Sequence, residues 1–103
     1  MGANQVMAIA KEFSKQVKNK YRVDKVYLFG SYAKDEAHDG SDIDLCVVSP
    51  EFTDYTPDQE MELIKIAMKI DLRISPVLSN PQDIQNRWSQ LAHEITTYGI
   101  LID

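Results

Sequence analysis

Residues 28–48 read LFGSYAKDEAHDGSDIDLCVV, and this stretch decides the fold. One apolar run ends in Gly30-Ser31, a polar segment follows, and a second apolar run opens with Asp42 and Asp44. Both runs are rich in β-branched and aromatic residues, which favour strands. The stretch therefore predicts two strands joined by a polar turn or a short helix, with two carboxylates at the mouth of the second strand.

Turn residues divide the rest of the chain into alternating helical and extended segments. Apolar residues at spacings of three and four predict an amphipathic first helix. Thr56-Pro57-Asp58-Gln59 combines an N-cap residue, Pro at the first helical position and a capping-box Gln, which predicts a second helix start. In chain order we predict a helix over Asn4–Lys18, a strand over Lys25–Phe29, a turn or short helix, a strand over Ile43–Ser49, a helix over Pro57–Met68, a strand over Lys69–Ser79 and a last helix. The last helix starts at Asn80-Pro81 and stops at Gly99. Its predicted core stripe is Ile84, Trp88, Leu91, Ala92 and Ile95.

Strands that alternate with amphipathic helices indicate an α/β or α+β fold, in which helices pack on a small mixed sheet in the order α-β-α-β-α-β-α. A length of 103 residues with 44% hydrophobic and 26% charged residues is typical of one compact soluble domain, so we expect a single domain over residues 1–103. A chain of this size buries roughly 60 to 70% of its extended surface, which leaves little room for a separate substrate-binding module.

Charge and cysteine content narrow the partners and the compartment. The net charge is −5 and the 11 Lys and Arg residues are scattered, so a nucleic-acid partner is not expected. The one cysteine, Cys46, cannot form an internal disulfide, and its strand position predicts a buried side chain in a reducing cytoplasm. The first residues lack a basic leader followed by a long apolar stretch, and no run of about 18 apolar residues occurs, so neither secretion nor membrane spanning is expected.

The two aspartates at the start of the second strand indicate a cation site. Side chains alternate across a strand, so Asp42 and Asp44 point the same way with α-carbons roughly 6 to 7 Å apart. Two neighbouring carboxylates repel each other unless a cation lies between them. Mg²⁺ takes carboxylate oxygens and commonly completes its shell with substrate phosphates. The spacing also fits two such ions about 3.5 to 4 Å apart, which serve phosphoryl transfer in two-metal sites.

Two further features complete the predicted site. Asp71 lies in the third extended segment among apolar residues, where an unpaired acid would be costly if buried, so it is a candidate third ligand or a base for an attacking hydroxyl. Gly30 at the end of a strand lets the backbone approach a ligand, and a following helical turn would direct N–H groups at an anion. The Ser31 hydroxyl is a candidate donor to the same phosphate.

The combined pattern resembles a known signature. Gly30-Ser31, ten intervening residues and then Asp42-x-Asp44 are similar to the signature of the DNA-polymerase-β-like nucleotidyltransferase superfamily. Apolar strands flank the signature, and the chain length, the element order and the third aspartate resemble the minimal nucleotidyltransferase (MNT) family. The resemblance covers nearly the whole chain, although its sharp motif lies within residues 29–45. One departure is Asp35, which stands where family members often have a second Gly.

The resemblance implies a polymerase-β-like nucleotidyltransferase core and a set of roles. Gly30 and Ser31 would bind the nucleoside triphosphate, Asp42 and Asp44 would bind two Mg²⁺ ions, and Asp71 would be the third ligand or base. The expected reaction moves AMP from ATP to a hydroxyl and releases pyrophosphate. MNT proteins are similar to antitoxins that adenylylate a tyrosine of a helical HEPN-domain toxin, so such a protein is the expected partner.

Two alternatives stay open at this point. Aminoglycoside nucleotidyltransferases share the superfamily motif, so a small-molecule acceptor is one of them, although those proteins usually carry further domains for the acceptor. The other is a non-catalytic antitoxin that binds its partner and blocks it by occlusion. Homo-oligomerisation is a further possibility that the sequence does not decide.

Overall fold

A four-stranded mixed sheet forms the centre of the molecule in the computed structural model, which describes residues 2–102. A 3₁₀ turn over Gly30–Tyr32 follows the first strand, and another over Pro50–Phe52 follows the second. The helices are α1 (Ala3–Lys20), α2 (Pro57–Ile70), α3 (Pro81–Ile84) and α4 (Gln90–Tyr98), and the strands are β1 (Lys25–Phe29), β2 (Ile43–Val48), β3 (Ile74–Ser79) and β4 (Ile100–Ile102).

The strands lie in the order β3-β2-β1-β4. β1 runs antiparallel to both β2 and β4, whereas β2 and β3 are parallel. The register pairs Phe29 with Asp44 and Ile43 with Ile74. The carboxyl end of β1 and the amino ends of β2 and β3 therefore meet at one end of the sheet. The mixed sheet with flanking helices confirms the predicted fold class.

Each face of the sheet has its own apolar cluster. On one face, α1 and α2 pack against alternate residues of the strands, in a cluster that includes Phe13, Leu45 and Leu63. On the other face, α3 and α4 cover a smaller cluster that includes Cys46 and Ile95. Strand alternation sends neighbouring residues to opposite faces, which is why β2 reads as almost continuously apolar. Cys46 is fully buried, as predicted.

Two predicted boundaries are wrong where α2 meets β3. α2 continues to Ile70, and β3 begins only at Ile74, so the predicted strand over residues 69–79 is too long. Asp71 is the C-cap residue of α2 and lies outside the sheet. Leu72 is 78% exposed, which marks a turn rather than a buried strand. The start of α2 is as predicted, with a capping box between Thr56 and Gln59.

The last predicted helix is divided into α3 and α4. The Asn86 side chain accepts a hydrogen bond from the Trp88 N–H, and Ser89 caps α4 by accepting from the Ala92 N–H. Such local side-chain bonds to the backbone compete with a continuous helix. Trp88 is 83% exposed and Leu91 is also exposed, so their predicted places in the core stripe are wrong.

Beyond the predicted helix stop at Gly99, a short strand was not predicted at all. β4 pairs with β1, with Tyr27 opposite Leu101, and forms one edge of the sheet. The three residues Ile-Leu-Ile are too few to show a strand period in the sequence. Among the described residues, no helix has the length and apolar character that crossing a membrane requires.

Candidate active site

The turn after β1 places a glycine against a carboxylate. Gly30 has φ +73°, in the left-handed region that glycine adopts without steric cost. A β-carbon built on Gly30 would lie 2.2 Å from Asp44 Oδ2. Gly30 is therefore required both by its backbone conformation and by the Asp44 side chain, which lies directly over it. The structure brings the two halves of the predicted motif into contact.

The environment of Asp44 disfavours the charged form of its carboxyl group. It is partly buried on β2, on the sheet face that also holds Cys46. Burial raises the pKa of the Asp44 carboxyl, and the neighbouring Asp42 carboxylate raises it further. Among the described residues, no hydrogen-bond donor offsets either effect on Asp44. Asp42, just before β2, is exposed at the mouth of the site.

This pair passes a chemical test for a divalent cation. The Asp42 and Asp44 carboxylates repel each other, and Asp44 is also partly desolvated. Because no donor among the described residues offsets the repulsion or the desolvation, the pair forms a local excess of negative charge. Carboxylate oxygens are the ligands that Mg²⁺ prefers. Asp42 and Asp44 therefore fit such an ion, with their outer side open to solvent and to a substrate.

The 3₁₀ turn that starts at Gly30 supplies backbone groups beside this pair. The N–H groups of Ala33 and Lys34 both donate to the Gly30 carbonyl, at 3.1 and 3.2 Å. The first N–H groups of such a turn have no acceptor within it, so those of Ser31 and its neighbour are candidates for an anion. Ser31 is half-buried, at the position predicted for phosphate binding.

Lys34 fixes this turn to α4. Its Nζ lies 2.8 Å from Glu94 Oε1 and 5.5 Å from the centroid of the Tyr98 ring. The hydrogen bond to Glu94 raises the pKa of Lys34. These contacts hold the Gly30-Ser31 turn against the helix that packs on the same sheet face. The Lys34 ammonium is thus engaged within the protein in this structure.

Asp35 has a backbone conformation that glycine adopts readily. Its φ is +57°, again in the left-handed region, and its side chain is exposed. Gly adopts this conformation freely, and Asp is one of the few other residues that tolerate it. Asp35 therefore fits the backbone of the turn and directs its charge to solvent.

Asp71 is not brought together with the aspartate pair. Its Oδ1 accepts from the Arg73 N–H at 2.9 Å and from Arg73 Nε at 3.0 Å, and its Oδ2 accepts from Nη2 at 2.7 Å. These bonds lower the pKa of the Asp71 carboxyl. Within residues 2–102, no three His, Cys, Asp or Glu side chains form a metal-binding group. The structure thus assembles two of the three predicted carboxylates.

One polar residue beside the pair was missed in the sequence. The parallel register places Ser75 of β3 next to Asp44 of β2. Ser75 is half-buried, and strand alternation turns it to the face that Val77 shares with Cys46. Its position depends on the register between two strands, which local sequence does not reveal.

A cavity of about 260 Å³ lies on the other side of the sheet. It is bounded by the amino end of α1, by Leu28 and Tyr32, and by the polar segment from Asp35 to Asp39. Leu28 and Tyr32 pack with the cluster under α1 and α2, whereas Asp44 lies on the opposite face. We therefore do not assign this cavity to the aspartate site.

A family model described as a nucleotidyltransferase domain matches residues 10–95 of the chain. The chain belongs to this nucleotidyltransferase family. Two similar proteins of Methanocaldococcus jannaschii carry the name "Putative protein adenylyltransferase". MJ0141 is 35% identical over 102 residues, which cover 93% of this chain and 97% of that protein. MJ0128 is 35% identical over 81 residues, which cover 76% of this chain and 83% of that protein.

Solved structures share the fold at lower identity. A Sulfolobus solfataricus structure described as a "putative nucleotidyltransferase" superposes with a TM-score of 0.70 at 19% identity, over 96% of this chain and 80% of that one. A toxin–antitoxin structure solved with AMP-PNP superposes with a TM-score of 0.63 at 22% identity, over 98% of this chain and 72% of that one. These matches establish the nucleotidyltransferase fold.

Proposed function

We propose that this nucleotidyltransferase transfers AMP from ATP, in the presence of Mg²⁺, to a tyrosine hydroxyl of a HEPN-domain toxin and thereby acts as an antitoxin in the cytoplasm. The observation that carries the proposal is the contact between Gly30 and the Asp44 carboxylate. It joins a backbone suited to phosphate approach with an acidic group suited to a divalent cation. Neither half would support nucleotide chemistry alone.

Each residue of the site has a defined task in this reaction. The lack of a side chain at Gly30 lets the triphosphate approach the turn, and the Ser31 hydroxyl donates to a phosphate oxygen. Asp42 and Asp44 would hold Mg²⁺, which would offset charge on the phosphates when bound. The acceptor oxygen forms a bond to the α-phosphorus, the bond from that phosphorus to the bridging oxygen breaks, and pyrophosphate leaves. The hydroxyl proton passes to solvent or to a nearby carboxylate.

A protein acceptor is supported by the relatives of the chain and by the open position of the site. The match to MJ0141 spans almost the full length of both chains, and that relative carries the name "Putative protein adenylyltransferase". Two carboxylates on an open sheet end leave the acceptor side of the site accessible to a large partner. A structure in the same fold is described as a toxin–antitoxin assembly with AMP-PNP, which favours a toxin partner and an adenine nucleotide.

The test is to incubate the purified chain with a purified HEPN-domain toxin, ATP and Mg²⁺, and to measure the intact mass of both proteins. We expect the partner to gain one or more AMP units, and peptide mapping to place them on tyrosine. Asp42→Asn should abolish the gain. Asp54→Asn removes an equal charge from an exposed turn away from the site and should leave it unchanged.

Two other outcomes would contradict the proposal in different ways. An unmodified partner whose toxicity is still blocked by the Asp42→Asn chain would indicate an antitoxin that acts by occlusion. An unmodified partner together with AMP transfer to an aminoglycoside-like hydroxyl compound would indicate a small-molecule enzyme.

A further inference from the structure

A row of three residues crosses the sheet at the site. Phe29 of β1 pairs with Asp44 of β2, and Asp44 pairs with Ser75 of β3. Neighbouring strands lie about 4.8 Å apart, so paired residues on one face are direct neighbours. Ile74 packs on the α1 and α2 side, which turns Ser75 to the same face as Asp44. A neutral hydroxyl therefore occupies the strand position that adjoins the Asp44 carboxylate.

The candidate from sequence, Asp71, lies elsewhere. The register places Ile74 beside Ile43, so Asp71 lies three residues before the first paired position of β3. Its carboxylate accepts three hydrogen bonds from Arg73. A move of Asp71 toward the aspartate pair would break these bonds and separate an ion pair.

We propose that Ser75, and not Asp71, occupies the third position of the cation site. The chain then supplies two carboxylates, those of Asp42 and Asp44, and a neutral hydroxyl at the position beside Asp44 where an acid would supply a third. The inference rests on the proposed function only in its premise that a divalent cation binds at Asp42 and Asp44. Because Mg²⁺ binds through few carboxylates when substrate phosphates complete its shell, cation binding here depends strongly on the nucleotide. An acid at position 75 would lessen that dependence.

The test measures Mn²⁺ binding from the electron paramagnetic resonance signal of the free ion, with and without AMP-PNP. Mn²⁺ suits the same oxygen ligands as Mg²⁺. Ser75→Asp should bind Mn²⁺ without nucleotide at least about tenfold more tightly than wild type, because ligand charge count sets affinity in carboxylate sites. Asp71→Asn should match wild type within about twofold, since its carboxylate is not a ligand in this account.

Position 79 gives a matched control for the added charge. Ser79 lies on the same strand and alternates to the same face as Ser75, but it pairs with Val48 instead of Asp44. Ser79→Asp should therefore leave Mn²⁺ affinity at the wild-type level. Circular dichroism melts of each variant identify any that does not fold. If Ser75→Asp does not fold, Ser75→Glu takes its place, and Asp71→Asn tests separately whether Asp71 is a ligand.

Two results would overturn this assignment. One is a folded Ser75→Asp protein with wild-type Mn²⁺ affinity, and the other is a loss of affinity in Asp71→Asn comparable to that in Asp44→Asn. Failure of the proposed function gives a different pattern. In that case the partner gains no AMP, while Ser75→Asp still tightens Mn²⁺ binding and Asp71→Asn does not weaken it.

Discussion

The Asp44 carboxylate lies so close to Gly30 that a β-carbon on the glycine would stand 2.2 Å from Oδ2. Gly30 also has a positive φ, so two independent constraints act on one residue. The contact joins the end of β1 to the start of β2, where the register pairs Phe29 with Asp44. The turn at Gly30 and the Asp44 carboxylate are thus built as one unit.

Gly30→Ala should lower the free energy of unfolding by about 2–4 kcal/mol, because it adds a clash with Asp44 to the cost of a left-handed alanine. Gly40→Ala is the matched control, since Gly40 has φ +87° and a β-carbon added there would meet nothing within 4 Å. It should cost only about 1 kcal/mol. Urea denaturation of both variants measures the difference.

A double-mutant cycle separates the clash from the backbone strain. In an Asp44→Ala background, Gly30→Ala should cost about as much as Gly40→Ala, because the carboxylate that it meets is gone. Equal costs of Gly30→Ala and Gly40→Ala in the wild-type background would contradict the observed contact.

Asp44→Asn should stabilise the protein slightly when chelator removes divalent cations. Burial and the Asp42 carboxylate both oppose the charged form of Asp44, so its pKa is raised and its ionised form weakens folding near neutral pH. Because the side chain is partly exposed, solvent reduces the gain to a fraction of a kcal/mol. Urea denaturation in chelator at neutral pH measures it, with Asp54→Asn as the control, and a clear loss of stability would contradict this account of the site.

Position 35 tests whether the backbone conformation or the carboxylate of Asp35 matters. Asp35 has φ +57° and is exposed. Asp35→Val should lower the free energy of unfolding by about 1–2 kcal/mol, because a β-branched residue fits the left-handed region poorly. Asp35→Gly should fold at least as well as wild type and keep full AMP transfer. Lower activity in the glycine variant would show that the carboxylate itself takes part in the reaction.

The hydrogen bond of Tyr21 should make the stability of the protein fall at alkaline pH. Its hydroxyl donates to Glu62, and burial together with this hydrogen bond raises the pKa of Tyr21 to about 12. The unfolded chain has the usual tyrosine pKa of about 10, so the contribution of Tyr21 is full below pH 10 and is lost as the pH rises toward 12. Wild type should exceed Tyr21→Phe in stability by about 1 kcal/mol at pH 8.

Urea denaturation from pH 8 to pH 12 follows this difference. The gap between wild type and Tyr21→Phe should be constant up to about pH 10 and should shrink above it. A gap that is unchanged at pH 12 would contradict the raised pKa of Tyr21.

The two strands on either side of the motif are predictable from the sequence because their signals are local. Both strands around it have dense β-branched and aromatic residues, and Gly30, Asp42 and Asp44 stand at their ends. The helix start at Thr56 was equally clear, since its capping box lies within four residues. Features of this kind need only short-range information, so the predicted and observed elements agree closely.

The remaining errors depend on tertiary structure. Ile70 continues the apolar period of α2, yet Lys69 and Ile70 also fit the strand that follows, and only packing decides between the two. The sequence pattern therefore predicts that Asp71 lies in a strand, and it does not reveal that the Asp71 carboxylate pairs with Arg73. The position of Ser75 beside Asp44 depends on strand register, which the sequence does not state. Trp88 fitted the helical stripe but lies outside it, because Ser89 begins a new helix.

The most direct test of the central claim is the rate of AMP transfer from labelled ATP to the purified partner, compared among wild type, Asp44→Asn and Asp54→Asn. The account predicts a loss of at least about a hundredfold in Asp44→Asn, because a lost cation ligand removes charge stabilisation that the reaction needs. It predicts an unchanged rate in Asp54→Asn. Wild-type transfer by a folded Asp44→Asn protein would contradict the assignment of this site.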